Sequence, residues 1–318
     1  MTTQEFKKST VSNLPEILEI IESGKLDCLN YHWLKSNVPK KCTSEPCVLG
    51  VDEAGRGPVL GPMVYSVFYC PANEVEILKE IGCTDSKALT EKKRENIFEL
   101  INSHNDKVGW IVDAISPNLI SNRMLKRAKF SLNEIAQQST ISLINHILDE
   151  KVNVKEIYVD TIGPADKYQE KLSKLFPDCK ITVEKKADSL YPVVGAASIC
   201  AKVIRDNIVQ HWKYGELLNI TETDVGTGYP GDPKSKKFLL DVKDDIFGFP
   251  NLVRFSWSTA AKLLEKNTAV EWEDESENFH NSEKPNISSY FKPLMAVAKH
   301  KTVSTYLKER CLSNVDSF

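Results

Sequence analysis

Two adjacent carboxylates, Asp52 and Glu53, end the apolar run Val48-Leu49-Gly50-Val51 and stand just before the turn Gly55-Arg56-Gly57-Pro58. Burying such a pair is costly unless cations compensate it. The fold must therefore carry this strand end to a place that positive charge can reach. Two further acids hold comparable positions: Asp160 closes Ile157-Tyr158-Val159, and Asp188 lies just beyond Ile181-Thr182-Val183. Together Asp52, Glu53, Asp160 and Asp188 form a candidate four-carboxylate site for hard divalent metals, which prefer oxygen ligands.

Such a site suits phosphodiester hydrolysis, where an attacking water and a leaving oxygen are stabilised on opposite sides of phosphorus. Two divalent ions about 4 Å apart meet both needs, and several carboxylates are required to hold them. An isolated Asp at a strand end is ordinarily a turn former. The Asp52-Glu53 pair beside Gly55-Arg56-Gly57 is what favours the metal reading. Gly55 and Gly57 present no side chain and let backbone amides approach a nucleotide, with Arg56 outside that close-contact surface; the bland reading is a β-turn. The segment lacks the Gly-Lys-Ser/Thr ending of a phosphate-binding P-loop. Tyr229, in the loop Thr227-Gly228-Tyr229-Pro230-Gly231-Asp232-Pro233, offers a ring and a hydroxyl to a ribose, whose 2′-hydroxyl distinguishes RNA from DNA. Its bland reading is loop packing. Lys87 and Arg205 are candidates for phosphate contacts, against solvated helix or loop charges.

The 318 residues, 41% of them apolar, are enough for one substantial core. Residues 1–44 read as a peripheral N-terminal extension with one short helix over 15–23, capped by Ser12 or Asn13. Strands are predicted over 48–52, 63–70 and 108–115, close enough in sequence to form an antiparallel meander. A long helical stretch over 119–148 is broken near 129–132. Strands over 154–160 and 181–184 then alternate with helices over 167–176 and 194–214. The pattern predicts a mixed α/β sheet, with a purely parallel doubly wound fold as the competitor. A catalytic core over 45–220 is followed by a C-terminal region, 221–318, with a helix over 258–266 and an acidic linker near 270–283.

No apolar stretch fits a signal peptide or a membrane span, so the expectation is a soluble intracellular protein with no membrane partner. Eight cysteines are dispersed; Cys42 and Cys47 would be half a zinc site with no second pair to complete it. The formal charge of −3 gives no general attraction for a polyanion, and nucleic-acid binding would rest on local basic clusters.

The ordered set of motifs resembles the type 2 ribonuclease H family, in particular its eukaryotic catalytic subunits. The resemblance is carried by residues 48–64, Asp85-Ser86-Lys87, residues 116–121, Tyr158-Val159-Asp160-Thr161, Lys186-Ala187-Asp188, residues 191–202, Gly228-Tyr229-Pro230 and Phe247-Gly248-Phe249-Pro250. It continues in Val253-Arg254-Phe255-Ser256-Trp257 and, more weakly, in Trp272-Glu273-Asp274 and Tyr306-Leu307-Lys308-Glu309-Arg310. It implies a ribonuclease H-like mixed β-sheet flanked by helices, with a C-terminal helical extension. It assigns Asp52, Glu53, Asp160 and Asp188 to metal binding and catalysis. Gly55, Arg56 and Gly57 match the ribonucleotide-recognising loop, Tyr229 the residue that senses the 2′-hydroxyl, and Lys87 and Arg205 residues near substrate phosphates.

The implied reaction is endonucleolytic hydrolysis of RNA in RNA:DNA hybrids and incision 5′ to single ribonucleotides in duplex DNA. It leaves 3′-hydroxyl and 5′-phosphate ends and uses two divalent ions, Mg2+ or alternatively Mn2+. The resemblance further implies a nuclear heterotrimer with non-catalytic B and C subunits docked through the C-terminal part. Lys284, Ile287, Tyr290 and Phe291 resemble a degenerate sliding-clamp-binding motif in which Lys replaces the usual leading Gln. The competing readings are another two-metal polynucleotidyl nuclease and a non-catalytic nucleic-acid scaffold. Four retained acids argue against the scaffold, because without metals they repel phosphate.

Overall fold

Short apolar runs separated by polar turns assemble into one seven-stranded sheet in the computed structural model, which describes residues 6–23, 31–83, 89–128, 130–161, 163–212 and 225–265. In chain order the first half comprises β1 (Phe6–Thr10), α1 (Leu14–Glu22), β2 (Tyr31–Lys35), α2 (Lys40–Ser44), β3 (Cys47–Ala54), β4 (Met63–Pro71), α3 (Val75–Glu80), α4 (Glu91–Ser103) and β5 (Gly109–Ile115). Then follow α5 (Pro117–Leu125), α6 (Leu132–Asp149), β6 (Val154–Asp160), α7 (Ala165–Leu175), β7 (Lys180–Glu184), α8 (Ala187–Leu190), α9 (Pro192–Gln210), α10 (Pro233–Asp241) and α11 (Ser258–Leu264).

In space the strands lie in the order β1-β2-β5-β4-β3-β6-β7. Strands β3, β4 and β5 make the expected antiparallel meander. Strand β6 joins β3 in parallel, and β7 joins β6 in parallel, because a helical crossover returns the chain to the same end of the sheet each time. The outcome is the mixed α/β sheet rather than the purely parallel alternative.

Both faces of the sheet are covered, and β4 is accordingly buried at every residue. One face packs against α9, with α1, α3 and α4 contributing Ile17, Leu78 and Phe98. The other packs against α5, α6 and α7 through Ile120, Leu143 and Leu172. Helix α9 is apolar around most of its circumference, as a helix sunk in the core must be. It can lie flush on β3 because Gly50 has no side chain: a Cβ there would stand 2.4 Å from the Val193 carbonyl carbon. The expected break in the long helical stretch falls between α5 and α6, where Ser131 and Glu134 cap each other's backbone amides. A third, smaller core joins Val59 and Leu60 to Phe238, Phe249 and Leu252, with Leu60 bridged to Val253 in antiparallel fashion.

The N-terminal stretch departs from its expected peripheral position. Strand β2 pairs antiparallel with β5, from His32 beside Ala114 to Lys35 beside Ile111, and β1 pairs with β2 in parallel. Trp33 and Leu34 are buried on opposite faces of the sheet, so residues within 1–44 complete the sheet. Helices α3, α4 and α10 also lie outside the elements expected from periodicity. The acidic linker near 270–283 and the clamp-like residues Lys284, Ile287, Tyr290 and Phe291 lie outside the described residues. Among the described residues no helix is long and apolar enough to cross a membrane.

Candidate active site

Parallel pairing of β3 with β6 sets Val51 beside Val159. The next residue on each strand, Asp52 and Asp160, is thereby delivered to the same carboxyl-terminal edge of the sheet. Asp160 Oδ1 accepts hydrogen bonds from the amides of Thr161 (3.0 Å) and Ala187 (3.2 Å). The second bond ties the end of β6 to α8, whose buried Asp188 follows Ala187 directly. Asp52 is also buried and faces α9, where Ser198 hydrogen-bonds it and Lys202 Nζ donates to Ser198 Oγ (2.9 Å). Burial pushes the Asp52 carboxyl up to about 7, against the Ser198 hydrogen bond; the Asp160 charge raises it further, and Lys202 pulls it down.

Glu53 leaves the end of β3 in the other direction. Strand residues alternate sides, so Glu53 follows Asp52 onto the opposite side, where its charge acts on Tyr65 and Tyr168. It borders the cleft there beside Arg56. Asp52, Asp160 and Asp188 gather at one end of the sheet without closing into a ligand shell: among the described residues no three His, Cys, Asp or Glu side chains stand in a metal-ligating cluster. The donor chemistry nonetheless fits a hard divalent cation. All four candidates offer carboxylate oxygens, and Asp52 is a desolvated acid held against a second one, an arrangement that a cation relieves.

Beside the acids opens a cleft of about 400 Å³ lined by Glu53, the loop 54–57, Arg94, Lys202, Arg205, Asp206 and Tyr229. Gly55 has φ +76°, and a Cβ there would lie 2.6 Å from both Arg205 Nε and the Pro62 carbonyl oxygen. Glycine is thus required by both backbone conformation and space. A Cβ on Gly57 would stand 3.1 Å from the Tyr229 ring, so the glycine loop and the tyrosine face each other at close range. Tyr229 is 52% exposed. Its loop is anchored by Val59 N–H to the Gly228 carbonyl (2.8 Å) and Asp232 N–H to the Tyr229 carbonyl (3.0 Å).

Arg205 donates Nη1 to Asp206 (3.2 Å), while its buried Nε and Nη2 have no hydrogen-bond partner within the protein. Guanidinium donors that no protein group uses, behind the wall of a cleft, are suited to phosphate oxygens once a substrate draws them out. Arg56 reaches further than expected, hydrogen-bonding Asn133 through Nη2 and lining the cleft. Lys87 lies outside the described residues.

Sequence reasoning passed over Ser198, Lys202 and Arg94. Ser198 and Lys202 share one face of α9 by their i, i+4 spacing, and a lysine within the apolar stretch 192–204 was the available signal. Arg94 bonds Asp206 (2.9 Å) and the Leu89 carbonyl (2.8 Å); no sequence motif marks it.

A family model described as Ribonuclease HII matches residues 49–260. The chain is 48% identical over 286 residues to the A subunit of ribonuclease H2 from Mus musculus, covering 89% of this chain and 95% of that one. The fold resembles the ribonuclease H2 from Pyrococcus horikoshii OT3, with a TM-score of 0.58 and 32% identity over 69% of this chain and 98% of that one. It also resembles the RNase HII of a PCNA:RNase HII complex from Archaeoglobus fulgidus, with a TM-score of 0.57 and 31% identity over 70% and 98% of the respective chains. The acids at the ends of β3 and β6, the glycine loop and Tyr229 all fall within the matched span, and the chain belongs to the ribonuclease HII family, alongside the A subunits of ribonuclease H2.

Proposed function

We infer that this chain is the catalytic subunit of a ribonuclease H2, an endoribonuclease that cuts RNA in RNA:DNA hybrids and at ribonucleotides within duplex DNA. Family membership supports the activity. The observation that carries the site is the meeting of Asp52 and Asp160 at one strand edge beside a cleft walled by glycine backbone, open arginine donors and Tyr229. Catalysis depends on divalent metal, and we propose two ions, Mg2+ or alternatively Mn2+, held by Asp52, Asp160 and Asp188, with Glu53 reaching them around the end of β3 from the other side of the strand. Bound there, such ions supply activation of water and stabilisation of the leaving 3′-oxygen.

The protein's own groups do the rest. Arg205 offers Nε and Nη2 to the phosphate backbone, and Lys202 offsets the negative charge gathered around Asp52. The Gly55-Arg56-Gly57 backbone approaches the ribonucleotide, and the Tyr229 hydroxyl meets its 2′-hydroxyl from the facing wall. Incision falls 5′ to the ribonucleotide and leaves 3′-hydroxyl and 5′-phosphate ends, and Lys87 adds a phosphate contact. The chain works as a nuclear heterotrimer with B and C subunits, held through residues in the C-terminal region 221–318. A sliding clamp is a further proposed partner through Lys284, Ile287, Tyr290 and Phe291, in keeping with the archaeal complex with PCNA.

The test compares identical duplexes containing DNA only, one ribonucleotide, or a longer RNA tract, with the B and C subunits present. Metal-dependent incision is expected only where ribonucleotides are present. Asp52→Asn or Asp160→Asn lowers turnover by at least about a thousandfold while the far-ultraviolet circular dichroism is retained. Tyr229→Phe mainly weakens the preference for ribose. Full turnover in both acid variants would reject their assignment, and cutting of the DNA-only duplex would favour the general two-metal nuclease.

A further inference from the structure

Arg254 stands in the apolar run Leu252-Val253-Arg254-Phe255 and is fully buried. Among the described residues no carboxylate is paired with it; burial lowers its pKa to about 9, with Arg205 pushing the same way and Tyr229 the other, so it stays cationic at neutral pH. A buried cation without a counter-ion is expensive, and what compensates this one is specific. Nε donates to the Gly61 carbonyl (2.9 Å), Nη1 to that of Arg56 (3.1 Å) and Nη2 to that of Gly55 (2.6 Å). The guanidinium also lies 4.7 Å from the centre of the Trp257 ring, a favourable cation–π placement. Trp257 Nε1 in turn donates to the Gly57 carbonyl (3.0 Å).

Four carbonyls of one short loop are therefore held from behind by two side chains of the Val253-Arg254-Phe255-Ser256-Trp257 motif. Peptide units are planar and trans, with N–H directed opposite to C=O. Fixing the Gly55 and Arg56 carbonyls toward Arg254 therefore turns the amides of Arg56 and Gly57 away from it. We propose that Arg254, assisted by Trp257, is the positioning residue of the ribonucleotide-recognising loop, clamping its carbonyls so that the Arg56 and Gly57 amides stand as preorganised donors to the substrate. The inference rests on the ribonuclease reading of the cleft. Donors fixed before substrate arrives need no reorganisation during reaction, which places their effect in turnover more than in binding.

The experiment uses Arg254→Lys, which keeps the charge but loses the three-way fork, and Trp257→Phe, which keeps the ring but loses the bond to Gly57. Each full-length variant is assembled with the B and C subunits and assayed on a duplex with one ribonucleotide. The metal-free chain is examined separately by heteronuclear NMR at the Arg56 and Gly57 amides. The expected result is a kcat lower by about tenfold for Arg254→Lys and about fivefold for Trp257→Phe. KM should change less than kcat in both, and the two amide signals should be displaced. Wild-type kcat in a folded Trp257→Phe variant overturns the proposal, and so do unmoved amide signals. If Arg254→Lys fails to fold, Trp257→Phe decides alone. A wild-type chain that does not incise the ribonucleotide refutes the functional reading instead, whereas the amide signals test the clamp without any cleavage.

Discussion

Asp113 is a completely buried acid on β5, away from the cleft, whose Oδ2 accepts a hydrogen bond from Ser139 (2.6 Å). Burial raises its carboxyl from 3.8 to about 7, while the bonds from Ser139 and Trp33 work the other way. A group whose folded pKa is raised binds its proton more tightly in the folded chain than in the unfolded one. Its contribution to stability is complete below about pH 4 and is lost as pH rises through the folded value of about 7. Asp113→Asn lacks this titration, so its melting temperature relative to wild type should be higher at about pH 8 than at about pH 5, by up to a few kcal/mol in stability. Calorimetry at the two pH values checks this, and an equal difference at both would refute it. At this scale the sequence was legible wherever a residue type is unusual for its element. Asp52, Asp160 and Tyr229 stood out by their settings, and Glu53 was found as a residue while its side of the strand was not. Lys202 and Arg254 were harder to read, because their partners, Ser198 and Trp257 apart, come from segments far away in the chain.

Among elements, the contact between β3 and α9 carries most of the site, since one strand supplies Asp52 and the helix supplies Ser198, Lys202 and Arg205. Gly50→Ala drives a methyl group to 2.4 Å from the Val193 carbonyl carbon, and backbone cannot swing aside as a flexible side chain can. The variant should lose on the order of 3 kcal/mol of stability, read by urea denaturation, and turnover should fall with it as α9 is displaced from Asp52. A wild-type unfolding midpoint would show that the helix has room to shift. The meander, the break at Ser131 and the β6-α7-β7 alternation were all readable from periodicity, caps and proline. Strands β1 and β2 were not, because each is five residues long and lacks the β-branched run Ile181-Thr182-Val183 that marked the equally short β7. What makes Tyr31–Lys35 a strand is its long-range pairing with β5.

For the whole molecule, the N-terminal strands are structural. Removing residues 1–44 takes away β1 and β2 and leaves β5 as a bare edge with unpaired amides and carbonyls. The truncated chain should aggregate or lose its cooperative melting transition, as size-exclusion chromatography and thermal denaturation would register. A monodisperse, active 45–318 fragment would restore the reading of this stretch as dispensable. The two sides of the cleft come from opposite ends of the polypeptide: Arg254 is bonded to carbonyls from 193 to 199 residues earlier. Translation therefore delivers the acidic residues before the tyrosine and the arginine proposed to shape the choice of sugar. A nascent chain halted beyond α9 would hold its carboxylates while the proposed selecting wall was still inside the ribosomal exit tunnel, so on that proposal discrimination matures only after Trp257 emerges.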